Sequence, residues 1–107
     1  MHEIARVSSP DSVVDAVLVQ RDTGATVATP YEVYIVPKGA QPSGEVLMRG
    51  DKMSDVTLRW QGAKFLEVHY AKGRIFAFKN FWNSAAVENW TYTVELRLMP
   101  GNDGPSL

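Results

Sequence analysis

The sequence predicts a mostly β protein: a small antiparallel β-sandwich or bent sheet of six to seven strands, with at most one short helix. Three observations carry this expectation. Between Trp90 and Met99, the residues Trp90, Tyr92, Val94, Leu96 and Leu98 alternate with Thr91, Thr93, Glu95 and Arg97, the period-2 pattern of a half-buried strand. The same theme recurs in shorter pieces along the chain, each closed by a turn signal rich in Gly, Pro, Ser or Asp. Finally, 107 residues make one domain, able to bury roughly two-thirds of its unfolded surface around a single modest core. That domain spans 1–107, with an ordered core of about 8–99 and flexible ends at 1–7 and 100–107.

Ser8-Ser9-Pro10-Asp11 is a turn, because proline fixes φ and the Ser and Asp side chains offer local hydrogen bonds. A strand follows over Val13–Val19. Its apolar density, broken only by Asp15, marks a strand covered on both faces and central in its sheet, ending at Arg21-Asp22-Thr23-Gly24. The small, polar segment Gly24–Pro30 leads to a second strand, Tyr31–Val36, rich in aromatic and β-branched residues and stopped by Pro37-Lys38-Gly39. Gly39–Gly44 is a loop, and Glu45–Met48 forms only a short strand suited to an edge.

In the second half, Val56, Leu58 and Trp60 point inward and Thr57 and Arg59 outward, before Gln61-Gly62-Ala63-Lys64 turns the chain into Phe65–Tyr70. There Leu66, Val68 and Tyr70 share one face, and Glu67 and His69 the other. Ala71-Lys72-Gly73 is short enough for a hairpin into Arg74–Phe78, which predicts a three-strand meander. Asn83–Glu88 offers a capping Asn, two alanines and a Glu, enough for one helical turn.

Two resemblances follow from these residues. Ser9-Pro10-Asp11 before an apolar strand, with Leu58-Arg59-Trp60 before Phe65-Leu66-Glu67-Val68, resembles the blade pattern of periplasmic β-propellers, although the chain is too short for even two blades of four strands. Most of the chain is also similar to a group of small bacterial proteins. The similarity runs through the Ser-Pro-Asp turn, Asp15–Val19, Gly24-Ala25-Thr26, Tyr31–Gly39, Leu58-Arg59-Trp60, Leu66-Glu67-Val68, Phe78–Trp82 and Val94–Leu98. That resemblance implies a complete domain and carries no activity. Many of those relatives look exported or lipid-anchored, which makes an envelope-associated accessory protein one alternative.

Composition narrows the classes. The formal charge of −1 supplies no field to recruit nucleic acid or anionic lipid, and zero cysteines remove disulfides and thiolate chemistry. No transmembrane run is present, and residues 1–10 lack the apolar centre of a signal peptide. The expectation is a cytoplasmic protein as written, exported if a signal segment has been cut away, with no nucleic-acid partner and no membrane insertion.

No catalytic or metal-ligating set is expected, and no cofactor. His2 lies near the chain's start and His69 on the polar face of a strand, neither with an evident second partner. Asp11, Asp22, Asp51 and Asp55 read as turn or solvated carboxylates; a buried Asp15 needs a donor such as Arg59 or Arg97. Arg49-Gly50-Asp51 reads as the end of a strand, Asn89-Trp90-Thr91 as a chance glycosylation pattern, and Gly39–Gly44 lacks the Gly-Lys-Ser or Gly-Lys-Thr ending of a phosphate loop. An enzyme, hydrolase-like with a carboxylate or His69 in a cleft, is the second alternative.

Aromatic residues are the remaining functional signal. Phe76, Phe78, Phe81, Trp82, Trp90 and Tyr92 fall between positions 76 and 92, more than one face of two strands readily buries. Phe81, Trp82, Trp90 and Tyr92 are the candidate binding residues. The favoured reading is a non-enzymatic binding or protein-interaction module that self-associates as a homodimer through the surface of Phe81 and Trp82.

Overall fold

A computed structural model describes residues 2–21 and 30–101. Nine strands are found among the described residues: β1 (His2–Ser8), β2 (Val14–Gln20), β3 (Tyr31–Pro37), β4 (Met48–Ser54), β5 (Thr57–Gly62), β6 (Phe65–Tyr70), β7 (Lys72–Phe78), β8 (Phe81–Trp82) and β9 (Val94–Pro100). They form a five-stranded sheet ordered β1-β2-β3-β4-β7 and a four-stranded sheet ordered β5-β6-β9-β8. One apolar cluster joins the two. Ala16 and Leu18 of β2 and Val33 and Ile35 of β3 meet Leu58 of β5, Leu66 and Val68 of β6 and Val94 and Leu96 of β9. The domain is a small, mostly β sandwich, 19 Å through its thinnest axis.

β2 is an interior strand covered on both faces, as its apolar density requires. Val14, Ala16 and Leu18 face the other sheet, while Val17 and Val19 join Tyr34 and Val36 in a second cluster on the outer face, against Ala40 and Val46 of the β3–β4 loop. The alternation read in β5 and β6 also appears, with Leu58, Leu66 and Val68 buried and Thr57 and Arg59 exposed.

Several boundaries and pairings differ from expectation. Residues 2–7, expected to be a flexible end, pair with β2 from His2 opposite Gln20 to Val7 opposite Ala16, because β2 needs a ladder partner on that side. The short edge strand expected at Glu45–Met48 begins instead at Met48 and runs to Ser54, between β3 and β7, so Arg49-Gly50-Asp51 lies within a strand. Gly50 is needed there: a Cβ would sit 2.5 Å from the Arg74 carbonyl oxygen and 2.9 Å from Met53 Sδ.

The expected meander of β5, β6 and β7 is cut at Ala71. The Ala71 N–H donates to Ser54 O, and the chain leaves β6 to pair with β4 in the opposite sheet. A strand that bends from one sheet to the other makes a corner of the sandwich. The lane beside β6 that β7 vacates is taken by β9, and in parallel, Phe65 opposite Glu95 through Tyr70 opposite Pro100, so the second sheet is mixed.

The closing strand is shorter at its start than its pattern suggests, Val94–Pro100, leaving Trp90 and Tyr92 ahead of it. The turn expected at Asn83–Glu88 appears later, as a single 3-10 turn over Glu88–Trp90. All three of its residues have positive φ, 49°, 49° and 76°. Pro100 ends β9, while 102–107 of the expected flexible end, and 22–29 around the expected turn and polar segment, lie outside the described residues.

Candidate functional site

The four candidate aromatics separate into two roles. Trp90 is 56% exposed and Phe81 42%, whereas Trp82 is 5% and Tyr92 1% exposed. Tyr92 belongs to the core: its O–H donates to Asp11 Oδ2 at 2.6 Å, with Ala63 O at 3.1 Å as second acceptor. Burial first, and then the Asp11 carboxylate, push its phenol up to about 12. The Ser9-Pro10-Asp11 turn thereby acts as a staple between the sheets. Asp11 also accepts from Ser9 Oγ, and Ser9 N–H reaches Val14 O at 2.8 Å. Burial raises the Asp11 pKa, yet the donors Ser9, Tyr92 and the Val13 N–H outweigh it and hold the carboxyl below its usual range.

Trp82 and Trp90 meet at a groove of about 320 Å³, bounded by 35–37 at the end of β3, by 43–45 of the β3–β4 loop, and by Asn83, Ser84 and Ala86. The volume falls at the lower end of the range for small-ligand pockets, roughly 300–1,000 Å³. The groove exists because β4 stops pairing early. Its register with β3 covers Tyr31, Glu32 and Val33 alone, with Leu47 N–H reaching Val33 O, after which the chain departs toward Val46 and the outer face.

The ladder on the other side of β3 fixes which backbone groups are left. Arg21 N–H to Pro30 O and Lys38 N–H to Val13 O show that even-numbered residues of β3 bond to β2. The odd-numbered ones turn the other way. Ile35 is odd-numbered and 2% exposed, and it lines the groove. Among the described residues, no backbone or side-chain partner reaches its N–H or C=O on that side. An N–H and a C=O so placed are a donor and acceptor pair offered to whatever occupies the groove.

The wall opposite is held under strain. Ser84 O accepts from Val87 N–H at 3.2 Å and from Trp90 N–H at 3.0 Å, and Glu88 O accepts from Thr91 N–H at 3.0 Å and Thr91 Oγ1 at 2.6 Å. These bonds hold Glu88, Asn89 and Trp90 in the left-handed region, which costs a non-glycine residue on the order of 1–2 kcal/mol. Strain of this kind persists where surrounding structure over-determines it, and it concentrates at ligand clamps.

Electrostatically the groove is nearly neutral. Glu45 is its one titratable lining side chain among the described residues. Lys79 Nζ lies 2.8 Å from Glu45 Oε1 and 4.5 Å from the centre of the Phe81 ring, which ties Phe81 to the rim. The Trp82 indole N–H makes no hydrogen bond to a described residue, yet no fully buried side-chain polar atom is unpartnered, so this donor is reachable by solvent. Ile35, Glu45, Asn83 and Ser84 carry no motif. The one sequence signal near them is Pro37 ending a strand before a loop that holds Gly39 and Gly44, both at φ 83°.

The residues weighed for catalysis lie elsewhere. Asp15 is buried, but its donors are Arg6 Nη1 at 2.8 Å, Ser8 Oγ at 2.6 Å and Gly39 N–H at 3.0 Å, in place of the expected Arg59 or Arg97. The reason is register: Ser8 stands opposite Asp15 on β1, and Arg6 lies two residues along on the same face. His69 Nε2 pairs with Glu67 Oε1 at 2.8 Å, and neither lines the groove. His2 is exposed on β1 opposite Gln20. Among the described residues no group of three or more His, Asp or Glu is placed to hold a metal ion, and no helix is long and apolar enough to cross a membrane.

Fold and groove define a class: a two-sheet β-sandwich with an aromatic-walled groove where a strand leaves its neighbour. Compared with known protein families, curated proteins and solved structures, the chain matches none.

Proposed function

We propose that this chain is a non-enzymatic binding module whose ligand occupies the groove between Trp82, Trp90 and the end of β3. The observation that carries the reading is the meeting, in one groove of about 320 Å³, of two indoles with the backbone N–H and C=O of a buried residue, Ile35, that have no partner among the described residues. Aromatic walls supply contact area and convergent polar groups supply orientation, the usual division of labour in a small-ligand site. A single titratable side chain, already paired with a lysine, speaks for binding over acid–base catalysis.

The test is a fragment library followed through the indole N–H signals of Trp82 and Trp90 in a two-dimensional NMR spectrum. Hits should move both signals together, and Trp90→Ala should abolish the remaining Trp82 shift while changing stability by no more than about 0.5 kcal/mol, as for a surface side chain. Hits that shift other regions and leave both indoles untouched would refute the reading.

A second reading, self-association as a homodimer, is supported by Phe81, which exposes 42% of its surface on β8 at an edge of the second sheet. The Lys79 ammonium over its ring argues for a modest contact. Light scattering should give twice the chain mass at high concentration, and Phe81→Ser should return it to monomer; a concentration-independent monomer overturns this reading.

A further inference from the structure

We infer that the groove takes an extended peptide segment, which adds to β3 in the lane that β4 vacates beyond Val33; this rests on the groove being the binding site. The argument starts from the backbone. In an antiparallel ladder a residue of the hydrogen-bonded type exchanges both N–H and C=O with the residue opposite. Val33 still has β4 beside it, with Met48 opposite, and its carbonyl accepts from the preceding Leu47 N–H. Ile35, the next residue with the same orientation, has no partner among the described residues, although it is 2% exposed. Pro37, the one after, has its carbonyl already engaged by Ala40 N–H and no N–H to give.

The vacancy is therefore one hydrogen-bonded pair long, and its match is a peptide residue offering a C=O and an N–H on one edge. Main-chain pairing of this kind supplies affinity without sequence, and side-chain pockets add choice.

The side-chain choice follows from the walls. Trp90, more than half exposed, and Trp82, behind it in the groove, favour an aliphatic, prolyl or aromatic side chain next to the paired residue. Glu45 is matched by Lys79, so the site selects no charge. A saccharide would satisfy the indoles, but it has no need of a paired amide and carbonyl on one strand residue. The occupant is accordingly a short, uncharged, extended peptide from a partner protein.

Two measurements test this. In the free protein, hydrogen exchange should find the Ile35 amide at least tenfold less protected than the amides of Val33, Tyr34 and Val36, despite its burial. Equal protection would overturn the inference, because the lane would then be filled from within. Next, the 15N-labelled chain is titrated with the blocked pentapeptide acetyl-Ala-Val-Pro-Val-Ala-amide, with acetyl-Ala-Val-Thr-Val-Ala-amide, with a form of the latter methylated on the central nitrogen, and with maltose.

The expected result is a downfield shift of the Ile35 amide by the threonine peptide, accompanied by movement of the Trp90 indole, and binding weakened tenfold or more by the methylated form or by Trp90→Ala. If maltose moves both indoles and neither pentapeptide does, the peptide inference falls and the groove reading survives. If no peptide, saccharide or library fragment moves them, both fall.

Discussion

Asp15 interrupts the most apolar run of the chain and is 2% exposed, so its stability depends on its donors. Burial alone would raise its pKa, but Ser8, the Gly39 N–H and Arg6 outweigh that and leave the carboxyl below its ordinary value. Arg6 is itself steadied by Glu3, at 2.9 Å. Arg6→Met should cost roughly 1–3 kcal/mol in urea unfolding, because it strips a donor from a buried carboxylate while Ser8 and Gly39 remain. A loss below 0.5 kcal/mol would show that those two suffice. The sign of the acid response follows from the lowered values: Asp11 and Asp15 stabilise the fold above the unfolded aspartate pKa of about 3.9, and that contribution is lost as pH falls through their folded values.

Tyr92 works at the opposite end of the pH scale. With its phenol pushed up to about 12, the folded state keeps the proton that the unfolded chain releases near pH 10. Its contribution is complete below about pH 10 and disappears as pH rises toward about 12. Tyr92→Phe should cost about 1 kcal/mol at neutral pH, Asp11 being exposed enough to regain water, and should flatten the alkaline limb of a melting-temperature profile. An unchanged limb would assign it to another tyrosine. At this scale the sequence showed that Asp15 needs a donor and that aromatic residues are in excess near 76–92. It did not show which donor or which aromatics, because β1 has no dry face to mark it as a strand and the residues that touch Asp15 and Tyr92 are brought close only by the fold.

Among the elements, the Glu88–Trp90 turn and strand β4 carry the most constraint. Placing glycine at Glu88 relieves a left-handed residue and should stabilise the chain by up to about 1 kcal/mol. The same change frees Trp90 to wander and should weaken any ligand of the groove; calorimetry and the indole shifts read the two effects in opposite directions. An unchanged affinity would show that the turn's geometry does not present Trp90. Gly50→Ala should cost roughly 1–3 kcal/mol by forcing the Arg74 carbonyl outward, and a change under 0.5 kcal/mol would mean that β7 slides freely past β4.

Strand β7 shows how the sheet's edge is guarded. Its register with β4 skips a residue between Ile75 and Ala77, leaving Phe76 bulged and 54% exposed under Arg74, whose guanidinium lies 5.4 Å from the ring centre. Bulges and basic residues on an edge discourage strand pairing with another molecule. Alternation located β5, β6 and most of β9 because each has one wet and one dry face. It missed β1, whose residues run from exposed at His2–Ile4 to half-buried with no dry face, and shifted β4, where Gly50 and the buried Asp51 break the apolar pattern.

For the whole molecule, topology sets the kinetics. β9 inserts beside β6 in parallel, and β7 leaves its sequence neighbour to pair with β4, so much of the ladder closes long loops. Refolding followed by tryptophan fluorescence should take milliseconds to seconds, as for other sandwiches dominated by distant pairings; microsecond folding would mean that local hairpins carry the barrier. From the sequence alone came the class, a mostly β fold, and the dry faces of its central strands, since period-2 burial and turn chemistry are local properties of the chain. Tertiary structure alone decided the division into two sheets, the parallel β6–β9 pair, the donors around Asp15, and the groove. These depend on which strands lie side by side, and nothing in a strand's own pattern names its neighbour. The groove shows this most clearly: it exists because β4 leaves β3 after Val33, and Ile35 carries no mark of that in the sequence.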